Sequence, residues 1–85
     1  MEEAEFEKFV GTYAYTEEYQ IQITKTGKDR LQVKNLWSDW TYYLRPEGPL
    51  AFFATNYGNE LIFEQNENGE IISVSEGSDT AKRVQ

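Results

Sequence analysis

The chain has no cysteine, no histidine, two prolines and one methionine. Without cysteine there are no disulfide staples, thiolate metal sites or thiol nucleophiles. Without histidine the commonest general base and the commonest zinc ligand are missing. Basic residues are few as well: eight Lys and Arg face fifteen Asp and Glu, a net charge of −7. Phosphate backbones are gripped by Lys and Arg that displace counterions, so nucleic acid is not an expected partner. No apolar run approaches the roughly 20 residues a membrane-spanning helix needs, so no membrane span is expected. The opening Met1-Glu2-Glu3-Ala4-Glu5 is acidic, unlike the basic head of a secretory signal. That predicts either a cytoplasmic protein or a mature or excised fragment.

What is present is aromatic. Two Trp, six Tyr and five Phe make up 15% of the 85 residues, too many for an acidic disordered chain. Length places all of residues 1–85 in a single domain. Turn-forming clusters recur from residue 16 onward: Thr16-Glu17-Glu18, Thr26-Gly27-Lys28, Trp37-Ser38-Asp39, Pro46-Glu47-Gly48-Pro49, Asn56-Tyr57-Gly58-Asn59, Asn66-Glu67-Asn68-Gly69 and Glu76-Gly77-Ser78-Asp79. Their spacing of about ten residues is that of an all-β meander.

Between these turns lie eight short segments with strand chemistry. They are Gly11–Tyr15, Tyr19–Thr24, Arg30–Asn35, Trp40–Pro46, Leu50–Thr55, Glu60–Gln65, Glu70–Ser75 and Thr80–Val84. Tyr19, Ile21 and Ile23 alternate with Gln20, Gln22 and Thr24, and Leu31 and Val33 with Gln32 and Lys34. Such period-two patterning buries one row and fixes the register. In Glu70–Ser75 it sets Ile72 and Val74 against Ile71 and Ser73. Phe6, Phe9 and Val10, at i, i+3 and i+4, predict a short helix over about 3–10, ended by Gly11. Eight sequential antiparallel strands leave two open edges unless the last pairs with the first. The expected fold is therefore all-β: an eight-stranded antiparallel up-and-down small barrel, its interior filled or nearly so, with a short N-terminal helix.

Glu64-Gln65-Asn66-Glu67-Asn68-Gly69 has oxygen side chains in alternation like a calcium loop, but its twelfth position is Ser75 rather than an acid. A tight hairpin accounts for it, and no metal or cofactor is expected. Glu17-Glu18 are adjacent carboxylates in a turn, not a pair facing each other across a cleft. No hydroxyl nucleophile has a base at motif spacing, so an autonomous enzyme is not expected. Trp37, Trp40, Tyr42 and Tyr43 form the best binding candidate, with Tyr19 and Tyr57 near strand ends as further members. Two tryptophans three apart, one of them in a loop, cannot both point inward. Either they present a stacking surface for a sugar or protein partner, or Trp40 fills the barrel while Trp37 caps its open end.

The order of signals resembles a known family. Phe9-Val10-Gly11-Thr12-Tyr13 looks like the opening of a small lipocalin-like barrel domain found C-terminal to serine beta-lactamase-like and penicillin-binding-protein-like hydrolases. Lys28-Asp29-Arg30-Leu31-Gln32-Val33, Tyr43-Leu44-Arg45-Pro46, Phe52-Phe53, the stretch from Ile62 to Ile71 and Ala81-Lys82-Arg83-Val84 resemble its later segments. Asn66 and Asn68 stand where acids are usual, Gly27 sits earlier in its turn than the family's glycine, and Trp37–Trp40 has no counterpart. The resemblance implies a non-catalytic accessory module that docks on, or shapes access to, a neighbouring hydrolase domain of an extracytoplasmic bacterial protein. It carries no catalytic residue over. The alternative is a stand-alone barrel that binds a small ligand or carbohydrate.

Overall fold

Alternation of apolar and polar residues becomes eight strands in the computed structural model, which describes residues 2–55 and 58–85. They are β1 (Gly11–Ala14), β2 (Gln20–Thr26), β3 (Arg30–Asn35), β4 (Thr41–Pro46), β5 (Ala51–Ala54), β6 (Asn59–Gln65), β7 (Ile71–Glu76) and β8 (Asp79–Arg83). Each pairs antiparallel with its sequence neighbour, and β8 returns to β1 through Tyr13↔Arg83 and Ala14↔Lys82. The result is a closed eight-stranded antiparallel barrel, which has no free edge. Among the described residues, no helix is long and apolar enough to cross a membrane.

The inward rows build the core. Ile21 and Ile23 on β2, Leu31 and Val33 on β3, and Leu61 and Phe63 on β6 are all buried. On β5 the two adjacent phenylalanines part company: Phe52 is buried, and Phe53 on the outer wall is 36% exposed. One strand breaks the period. Glu64 pairs with Ser73 and Gln65 with Ile71, so Ile72 is an extra, outward-bulging residue. Ile71 and Val74 are therefore buried together while Ile72 is exposed, correcting the two-row grouping expected for this segment. The Ser73 hydroxyl, next to the bulge, donates to Glu64 Oε1 at 3.2 Å.

The N-terminal helix spans Glu3–Phe9 and is 3₁₀, not α. With three residues per turn, Phe6 and Phe9 lie directly above one another and both enter one end of the barrel. There Phe9 meets Phe52 and Phe63 edge-on at centroid distances of 4.9 and 4.8 Å, and Phe6 meets Phe52 at 6.2 Å. Val10 falls outside that stripe and caps the helix in extended conformation. Gly11 is likewise not the helix stop expected of it but the first residue of β1. It needs glycine for room: a Cβ there would press on the Gln85 carbonyl oxygen and lie 2.9 Å from Arg83 Nε.

Beneath the helix, the Tyr13 hydroxyl donates to the Phe9 carbonyl at 2.8 Å. Burial pushes this phenol up to about 12, with nearby Arg83 pulling weakly the other way. The folded state thus holds a proton that the unfolded chain releases near pH 10, so Tyr13 stabilises fully below that pH. The contribution is lost as pH rises from 10 through 12. Denaturant midpoints are expected to be flat up to about pH 9.5 and to fall above 10. Tyr13→Phe should cost about 1–2 kcal/mol at neutral pH, by leaving the Phe9 carbonyl unpaired, and should flatten the alkaline fall. A variant with the same alkaline slope as the parent would remove Tyr13 as its source.

Candidate functional site

A meander that alternates up and down places the β1–β2, β3–β4, β5–β6 and β7–β8 connections at one mouth, opposite the helix. At that mouth the inward rows change character. Continued past the core, they run Tyr13 to Tyr15, Ile21 back to Tyr19, Val33 to Asn35, Leu61 back to Asn59, Val74 to Glu76 and Ala81 back to Asp79. Apolar filling thus gives way to a polar and aromatic collar. It surrounds an open cleft of about 480 Å³ lined by Tyr15, Tyr19, Asn35, Trp37, Tyr42, Asn59, Glu76 and Asp79.

Two side chains form one wall. Tyr19 and Trp37 meet edge-to-face, centroids 5.3 Å apart at 86°, and both remain nearly half exposed. The backbone holds them in place: Thr16 Oγ1 accepts from the Tyr19 N–H at 3.1 Å, and the Leu36 N–H donates to the Gln20 carbonyl at 3.0 Å. Buried Tyr42 forms the floor.

The opposite wall is acidic. Gly77-Ser78 is a two-residue hairpin loop between the paired Glu76 and Asp79. Gly77 has φ 61° while, among the described residues, no non-glycine has positive φ, the arrangement of a type II′ turn. This turn sets the two carboxylates directly across from each other on the inner face. Like charges in that relation are destabilising. Asn59 Nδ2 donates to Glu76 Oε2 at 2.6 Å, and among the described residues neither carboxylate has a cationic partner. The Tyr15 phenol is raised above its ordinary value, first by burial and then by Glu76 and Asp79. It stays protonated at neutral pH and is available as a donor.

The candidate residues therefore separate. Tyr19 and Trp37 come together in the cleft. Trp40 is 53% exposed just before β4, held there by its N–H to Ser38 Oγ and its carbonyl to the Asn35 N–H. It does not fill the barrel, because β4 begins one residue later and Tyr42 takes the inward place. Tyr43 points outward with the Arg30 guanidinium 5.3 Å above its ring. Tyr57 lies outside the described residues. Glu17 and Glu18 are exposed in the β1–β2 turn and do not line the cleft. Asn66 Oδ1 is occupied by the Asn68 and Glu70 N–H groups, each at 2.9 Å, which makes its loop a turn rather than a calcium cradle. Among the described residues no three metal-capable side chains converge.

Tyr42, a member of the aromatic cluster, does line the cleft, whereas Tyr15, Asn35, Asn59, Glu76 and Asp79 were missed as site residues. Their signal is the parity of each strand read one step beyond its last apolar residue. No protein-family model matches this chain, and no curated protein matches it in sequence.

Proposed function

We propose that this barrel is a non-catalytic binding module whose working face is the aromatic and acidic mouth. The observation that carries the reading is the change of the inward rows from apolar filling to a lined, open cleft at the mouth opposite the helix. Small-molecule sites combine apolar walls with a few convergent polar groups, and Tyr19, Trp37 and Tyr42 with Asn35, Asn59 and Glu76 have that composition. A ligand with one flat face would stack on Trp37 and present hydroxyls or amines to the opposite wall. Among the described residues the lining supplies no lysine or arginine, which makes anionic ligands poor candidates.

The test is a titration of neutral saccharides, aryl amines and aryl carboxylates followed by the indole N–H resonances. The Trp37 signal is expected to move with at least one class while Trp40 stays put, and Trp37→Ala should weaken that binding roughly tenfold or more. Silence at Trp37 across all three classes would overturn the reading.

A second reading, docking on a neighbouring hydrolase domain, follows the family resemblance. It is favoured by the exposed apolar rim of Leu36, Trp37 and Trp40 beside the cleft. Under that reading Trp40→Ser should weaken association with the hydrolase domain and leave small-ligand titrations unchanged.

A further inference from the structure

We infer that the ligand class of the mouth cleft is an organic cation: a protonated amine carried on a flat apolar body. The inference rests on the binding reading above and deepens it. Three features of the cleft select this class together. Its wall and floor are π faces, from Tyr19, Trp37 and Tyr42, and such faces attract cations as well as apolar rings. The facing wall carries the paired carboxylates of Glu76 and Asp79, set side by side by the Gly77-Ser78 turn. Among the described residues no lysine or arginine lines the cleft to neutralise them.

The carboxylate pair separates a cation from a neutral sugar. Asn35 and Asn59 could serve either ligand, whereas two like charges held opposite one another gain only from a positive guest. The Tyr15 phenol lines the same cleft, raised first by burial and only then by Glu76 and Asp79. Glu76 already accepts from Asn59 Nδ2, which orients it and leaves its other oxygen for the guest. Asp79 accepts no side-chain hydrogen bond among the described residues, and an ammonium bridging the two carboxylates would relieve their repulsion. An ammonium on an aromatic ring would place the ring on Trp37 and the charge between the acids. The overall charge of −7 draws cations toward the whole surface, and the cleft supplies the specific end of that attraction.

The experiment uses three probes with one ring and similar length: phenethylammonium, 2-phenylethanol and 3-phenylpropanoate. Each is titrated into the intact chain while the Trp37 indole N–H is followed. Phenethylammonium is expected to bind about tenfold more tightly than the alcohol, with the carboxylate weakest, and half-molar salt should shrink the gap. A Glu76→Gln, Asp79→Asn double variant is expected to bring ammonium and alcohol within about twofold of each other. Its fold is checked by amide dispersion, and removal of a like-charge pair should not harm it.

Equal affinity for ammonium and alcohol, or a preference for the carboxylate, overturns the cation assignment and leaves the cleft a binding site. The same holds if a neutral saccharide outcompetes the amine. A preference for phenethylammonium that survives in the double variant also overturns it. No response at Trp37 to any probe or saccharide overturns both this inference and the binding reading.

Discussion

Phe52→Ala is expected to be the most damaging single truncation in the chain, costing about 3–5 kcal/mol. Phe52 is fully buried and sits at the centre of the ring cluster that closes the helix end, touching Phe6, Phe9 and Phe63 at centroid distances of 6.2, 4.9 and 5.4 Å. Alanine there loses the transfer energy of the ring and leaves a void between elements that cannot collapse, because the barrel is closed around them. A domain has roughly 5–15 kcal/mol of stability, and a short chain lies toward the lower end. The variant should therefore be partly unfolded without denaturant. The internal control is the next residue: Phe53→Ala, on the outer wall, should stay within about 1 kcal/mol of the parent. Urea denaturation followed by circular dichroism measures both. Indole fluorescence is a poor probe here, since Trp37 and Trp40 are already exposed in the folded state. Equal losses at positions 52 and 53 would contradict the inward assignment of β5.

Arg83→Ala is expected to cost about 2–3 kcal/mol, far more than a half-exposed strand residue usually does. The guanidinium is a clasp of carbonyls at the closing seam. Nη2 donates to Val10 at 2.7 Å, Nη1 to Ile71 at 3.2 Å and Lys8 at 3.3 Å, and Nε to Gln85 at 3.2 Å. One planar group thereby ties the helix end, β7 and the C-terminal residues together. Arg83→Lys should restore less than half of the loss, because an ammonium on a flexible stem cannot reach four carbonyls in a fixed fork. Hydrogen exchange offers a second readout: amides of β1 and β8 should lose protection in Arg83→Ala more than those of β3 and β4. Uniform loss across the barrel would mean that Arg83 acts only on global stability.

The barrel was legible in the sequence because its information is local. Turn residues at regular spacing and two-residue alternation such as Tyr19-Ile21-Ile23 state both the strand and its face. Where local signals compete, the reading failed. Ile71 and Ile72 are equally apolar, and only the pairing with Glu64 and Gln65 decides which turns outward. Phe6, Phe9 and Val10 suit an α-helix, but the two rings that must share the barrel end are satisfied by the tighter 3₁₀ turn. The cleft was hidden for a different reason. Its residues come from seven separate segments, and Tyr15, Asn59 and Glu76 become neighbours only once the strand order is known. Aromatic density marks the loop around Trp37 and Trp40, while the two acids of the site lie in an unremarkable Glu-Gly-Ser-Asp turn.

The closing seam has a mechanical consequence. The N-terminal end of β1 and the C-terminal end of β8 lie side by side at the helix end, with the Thr12 N–H on the Gln85 carbonyl at 3.1 Å and the Val84 N–H on the Thr12 carbonyl at 2.8 Å. Tension applied between Gly11 and Gln85 would run along the hydrogen bonds of that seam, loading them one after another as a zipper does. Strands pulled in opposite directions along their length would share the load. The barrel should therefore peel at low force from β8, releasing the Arg83 clasp first. Tethered by these two ends, it would be compliant, although heat or denaturant is expected to unfold a single domain of this size as one cooperative unit.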